Sequence, residues 1–213
     1  MTYEVQTIRN IWAVGRNYEE HAKELGNLPP APNGKPMIFL KAGTSIVPNG
    51  ASFELPPFSK DVHHEVEVAL QFGSDFKWRA LSIAIDLTAR DVQNELKSKG
   101  HPWTLAKSFR HSCLLGPLIP IDAATDLQNL DFSLHINGKL RQSGNTRDMI
   151  HSVENLRHYV LEHFPVSPGD LLLTGTPAGV GPITAGDELE AQVTGLVRAH
   201  WRAASPHSSP CRT

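Results

Sequence analysis

The apolar residues of this chain fall in short, closely spaced runs of strand length rather than in long helical stretches. In Val62-His63-His64-Glu65-Val66-Glu67-Val68-Ala69-Leu70 apolar and polar residues alternate. A strand turns successive side chains to opposite faces, so Val66, Val68 and Leu70 are expected in a core, with Glu65 and Glu67 together on the other face. Ile11 to Val14, Met37 to Lys41, Leu81 to Ile85 and Leu171 to Thr174 read as further strands. Alternation after Ala185-Gly186-Asp187 predicts another through Val193. Leu134-His135-Ile136 and Lys139-Leu140-Arg141 flank Asn137-Gly138. That pair readily takes the positive φ angles of a type I′ turn, which predicts a hairpin.

Helical composition is confined to three segments. Tyr18 to Leu25 follows Asn17, a candidate N-cap, and stops at Gly26. Thr88 to Lys99 is stopped by Gly100-His101-Pro102, and Met149 to Phe164 forms the third. Residues 28–36, rich in Pro, Asn and Gly, read as loop. The picture is a β-rich chain with a few short helices. At 213 residues it fits one domain, over 1–202, followed by a polar tail over 203–213.

With 20 Lys+Arg against 22 Asp+Glu, and no basic stripe, nothing points to a nucleic-acid partner. No apolar run reaches membrane-spanning length, and Met1-Thr2-Tyr3-Glu4 opens no basic, apolar leader. Two cysteines, Cys113 and Cys211, are too few for a disulfide framework, so a reducing, cytoplasmic setting is expected, with Cys113 in the core.

The chemistry-bearing residues are mostly acidic. Glu65 and Glu67 side by side have two readings: the wet face of a half-buried sheet, or carboxylates whose mutual repulsion a cation relieves. Asp86, following Leu81 to Ile85, would complete an all-oxygen pocket suited to Mg2+ or Mn2+. Zinc fits less well. No His-Glu-x-x-His motif is present, and the adjacent His63 and His64 face opposite ways on a strand. His21 and Glu24, three residues apart on a helix, form either a surface contact or a proton-moving pair. Arg90 and Gln93 share that spacing and are either a solvated face or donors for a small carboxylate. Lys107, among the apolar neighbours of Pro102-Trp103-Thr104-Leu105-Ala106-Lys107-Ser108-Phe109, is expected to be partly buried and to need an anion. Leu173 to Gly181 runs from a strand into a Gly-rich turn. It lacks Gly-Lys-Ser/Thr, so its amides suit a carboxylate better than a phosphate.

Taken together, Val14-Gly15-Arg16-Asn17-Tyr18, His63-His64-Glu65-Val66-Glu67, Leu87-Thr88-Ala89-Arg90-Asp91-Val92-Gln93, the segment around Lys107, Ile136-Asn137-Gly138 and Leu173-Thr174-Gly175-Thr176-Pro177 closely resemble the fumarylacetoacetate hydrolase family. The likeness is strongest to its small single-domain members that act on acylpyruvates and related 2-oxo acids. It implies an α+β fold around a rolled mixed β-sheet, a homodimer, and Mg2+ or Mn2+ on Glu65, Glu67 and Asp86. It also implies that His21 and Glu24 activate a water, that Lys107 lies beside the metal, and that Arg16, Arg90, Gln93 and Thr176 contact substrate. The reaction implied is hydrolysis of a C–C bond in a 2,4-dioxo acid through a metal-stabilised enolate. Decarboxylation or tautomerisation of oxaloacetate, and isomerisation of 2-hydroxyhepta-2,4-diene-1,7-dioate, are the rival reactions. One departure stands out: between Glu67 and Asp86 the chain is shorter than the family pattern and holds the unusual Phe76-Lys77-Trp78-Arg79. That leaves open the reach of Asp86, and with it a non-catalytic oxo-acid or metal-binding protein with a disabled site.

Overall fold

The computed structural model describes residues 8–24, 26, 34–122 and 124–204. Met1 to Glu4, most of the loop read over 28–36, and Cys211 lie outside them. The largest sheet is mixed. Its path runs Met37–Ala42, Asn10–Gly15, Leu171–Leu173, Val66–Phe72, Trp78–Asp86, Cys113–Leu115, Ile46–Pro48, with Ile119–Pro120 also pairing Trp78–Asp86. A five-stranded sheet orders Lys139–Asn145, Asp131–Ile136, Glu188–Val193, Val197–Ala204 and Ser52–Glu54, and a small one holds Gly181–Pro182, Val62–His64 and Thr88–Ala89.

The hydrophobic pattern explains the layers. Val66, Val68, Leu70, Leu81, Ile83 and Ile85 from the large sheet share one core with Phe132, Leu134, Leu189, Val193 and Trp201 from the five-stranded sheet. Each aliphatic side chain so buried stabilises the fold by about 1.5–3 kcal/mol. The other face of the large sheet is covered too, in part by Leu156 and Val160 from the helix Val153–His163, against Trp12, Val14 and Leu172. Its central strands are therefore buried on both faces, whereas Val197–Ala204 alternates buried and exposed.

The predicted hairpin forms at Asn137-Gly138, with φ 53° and 72° and Ile136 opposite Lys139. Several boundaries differ from the sequence reading. The run Val62–Leu70 breaks at Glu65: Val62–His64 belongs to the small sheet and Val66–Phe72 to the large one. The third helix begins at Val153 rather than Met149. Ile150 N donates to Asn17 O, and Ser152 Oγ accepts from Asn155 N as the N-cap. Thr88–Ala89 is strand, and helix starts at Arg90. Val197–Ala204 carries regular structure two residues past 202, with Ala203 buried opposite Phe53. Residues 205–213 lie outside the described residues.

The short stretch after Glu67 is a tight hairpin. Gly73 N donates to Lys77 O at 2.8 Å, Phe76 turns the chain at φ 59°, and the Trp78 ring packs on Phe72 at 4.6 Å. The antiparallel register sets Glu67 opposite Ala84, and Asp86 N donates to Glu65 O at 2.8 Å. The shortening therefore does not hold Asp86 away from the two glutamates.

Candidate active site

Three backbone positions converge here. Glu65 sits where the chain passes from the small sheet to the large one, Glu67 is on the following strand, and Asp86 closes the strand Trp78–Asp86. One carboxylate oxygen from each lies within 4.8 Å of the others. Their exposures of 5%, 1% and 0% rule out the wet-face reading.

Three buried cations face these acids. Lys107 Nζ donates to Glu65 Oε2 at 2.7 Å, Asp86 Oδ2 at 2.6 Å and Thr88 Oγ1 at 2.7 Å. Lys41 Nζ donates to Asp86 Oδ1 at 2.6 Å and also to the Lys107 carbonyl. Arg90 Nη2 donates to Glu65 Oε1 at 2.5 Å. Burial alone would raise Glu65, but Lys107 and then Arg90 overcome it and hold that carboxyl well below its usual range. Glu67 goes the other way. Burial, then Asp86 and Glu65, push it well above the ordinary carboxyl value. Its Oε2 accepts from Gly175 N at 2.6 Å, which a φ of 96° at that glycine makes possible.

Such a set fits a hard divalent cation. All the donors are oxygens, and a cation arriving beside Glu67 would replace the proton that burial now favours.

Glu65 and Glu67 open into a small cleft that Lys107, His21, Arg16, Lys97, Trp103 and Thr176 also line, with Asp86 buried behind them. His21 is buried, and burial holds its imidazole below the ordinary value, so it is neutral at pH 7. Glu24 Oε2 lies 3.5 Å from His21 Nδ1, at contact distance but outside hydrogen-bond alignment, while Glu24 accepts from Gly179 N. Arg90 and Gln93 are both buried, and Arg90 Nη1 donates to Gln93 Oε1 at 2.7 Å. They hold each other and Glu65 rather than forming an open carboxylate clamp. Of the Arg90 nitrogens, the buried Nε has no hydrogen-bond partner among the described residues. Thr176 Oγ1 accepts from Gln142 Nε2 at 2.8 Å, which frees its own O–H to donate. His63 pairs with Asp61 and His64 with Gln142, so neither joins the triad.

Other residues here escaped the sequence reading. Lys41 was seen only as the charged end of a strand. Gln142 makes four bonds: it accepts from His64 Nδ1 and Val66 N and donates to Thr176 and Pro177. Asn17 is not an N-cap. Fully buried, it donates to the His151 and Thr174 carbonyls and accepts from His151 N, tying the first turn to two distant segments. Lys97 follows Arg90 and Gln93 on one helical stripe, a spacing that was legible but unused.

The model of the fumarylacetoacetate (FAA) hydrolase C-terminal family matches residues 10–202. Oxaloacetate tautomerase FAHD1, mitochondrial, of Bos taurus is 39% identical over 210 residues, which is 93% of each chain. Oxaloacetate decarboxylase, mitochondrial, of Dictyostelium discoideum is 40% identical over 202 residues, covering 90% of this chain and 91% of that protein. Among solved structures, fumarylpyruvate hydrolase from Pseudomonas aeruginosa in complex with Mn2+ and pyruvate superposes with a TM-score of 0.86 at 29% identity, covering 93% of this chain and 91% of that one. Among the described residues no helix is long and apolar enough to cross a membrane. A likeness that extends over nearly the whole length, in sequence and in the curl of the sheet, makes this chain a member of the fumarylacetoacetate hydrolase family of enzymes.

Proposed function

We propose that the protein binds Mg2+ or Mn2+ on Glu65, Glu67 and Asp86 and interconverts the enol and keto forms of a small 2-oxo acid, with oxaloacetate as the first candidate. The observation that carries this is a neutral, buried His21 lining the same cleft as Glu65, Glu67 and Lys107, the two glutamates being grouped with Asp86. The named activity of the 39% identical bovine relative supports the choice of oxaloacetate. When bound, the cation supplies Lewis-acid polarisation of the oxo acid.

The chain's own residues do the rest. The neutral imidazole of His21 accepts the proton from the carbon beside the keto group. The Lys107 ammonium offsets the negative charge that grows on the keto oxygen, and the proton taken up by His21 is returned to that oxygen to complete the enol. The Thr176 hydroxyl, fixed by Gln142, donates to the substrate carboxylate. The homodimer implied by the resemblance belongs to the same proposal, and light scattering of the purified protein tests it.

Hydrolysis of an acylpyruvate is the second reading, favoured by the contact between His21 and Glu24, which suits a pair that activates water. Following enol absorbance of oxaloacetate and of acetylpyruvate, with Mg2+ and with a chelator, separates the two. Metal-dependent acceleration of oxaloacetate ketonisation, lost in His21→Gln, is the expected result. Cleavage of acetylpyruvate with no effect on oxaloacetate would make hydrolysis the function. Inactivity on both would overturn the reading.

A further inference from the structure

The cations of the triad are all committed, but two others in the cleft are not. Lys97 and Arg16 line it beside His21 and Thr176, and among the described residues neither is ion-paired or hydrogen-bonded to an acidic group. Lys23, Lys77 and Lys99 lie against Glu20, Asp75 and Glu95, and Lys60 and Lys139, whose ammonium groups have no acidic partner among the described residues, are exposed to water, unlike Lys97. Lys97 is half-buried, its Nζ 5.1 Å from the Trp103 ring centroid, and that ring packs in turn against Phe39. Arg16 is held at φ 60°, a left-handed conformation costly for a long side chain, directly after the strand that borders the cleft. Burial, then the charges of Arg90 and Arg16, disfavour the protonated Lys97. The cleft thus concentrates positive charge that the protein itself leaves unbalanced.

We propose that Lys97 and Arg16 form a second anion subsite that takes the distal carboxylate of a 2-oxo dicarboxylic acid whose oxo-acid end lies at the triad. This rests on the function proposed above and narrows its substrate class. Three carboxylates already face three cations at the triad, so a divalent ion adds surplus positive charge. A dianionic substrate that spans both subsites offsets it, whereas a monocarboxylate does not.

The test uses matched oxo acids that differ only by a carboxylate for a methyl: oxaloacetate against 2-oxobutanoate, and 2-oxoglutarate against 2-oxopentanoate. Binding to the Mg2+-loaded protein is measured by titration calorimetry for the natural chain, K97M and K97R, with the melting temperature as a control on folding. The natural chain and K97R should prefer the diacid of each pair by about tenfold or more, and K97M should lose most of that preference. Equal affinity for both members in the natural chain, or an undiminished preference in well-folded K97M, would overturn the subsite while leaving the 2-oxo acid reading intact. If neither member binds, that reading fails and the subsite falls with it.

Discussion

Lys41 carries more of the site than its place on an unremarkable strand suggests. It is fully buried, with its ammonium on Asp86 Oδ1, and it also holds the backbone of Lys107, so one side chain positions a carboxylate and a cation. Removing one partner of a buried pair leaves a charge that cannot return to water, a loss of about 3–5 kcal/mol. Lys41→Met is therefore expected to unfold at markedly lower urea in chelator and to recover part of the loss in Mg2+, since an ion that binds only the folded protein stabilises it. An unchanged urea midpoint in chelator would refute this positioning role. The acids themselves were legible because Glu65 and Glu67 are local in sequence and their spacing has one meaning on a strand. Lys41 was not, because its partners lie 45 and 66 residues away and no local pattern encodes them. Gln142 was missed on the same grounds, reaching 76 residues back to Val66.

At the scale of elements, the hairpin from Phe72 to Trp78 does the work that sequence reasoning doubted. It is short, yet its register brings Asp86 beside Glu65. Phe76 takes the left-handed turn at φ 59° while 37% exposed, so it bears the cost of that conformation with little packing in return. Asn adopts this region more readily, and Phe76→Asn should raise stability by about 1 kcal/mol with activity unaltered. A lower melting temperature would show that the ring contributes more than its exposure indicates. The Asn137-Gly138 hairpin was legible because its turn chemistry is carried by two adjacent residues. The late start of the third helix was not, because Asn17 draws Ile150 and His151 into tertiary hydrogen bonds that outweigh local helical preference.

For the molecule as a whole, burial sets two opposing responses to acid. His21, His64 and His151 are held below the ordinary histidine value, with burial the largest cause for each. Below about pH 6.5 the unfolded chain takes up protons that the folded chain refuses, so this stability is present above that pH and is lost as pH falls. Glu67 is raised, so its contribution is present below the unfolded carboxyl value and is lost as pH rises. In chelator the two partly cancel between about pH 4.5 and 6.5. A cation on the triad displaces the Glu67 proton and leaves the histidines to act alone, while metal binding itself strengthens as pH rises. Urea unfolding across this range should therefore show stability rising with pH more steeply in saturating Mg2+ than in chelator. Parallel pH dependences would mean that Glu67 releases no proton to the metal, and the triad would lose its assignment as the cation site.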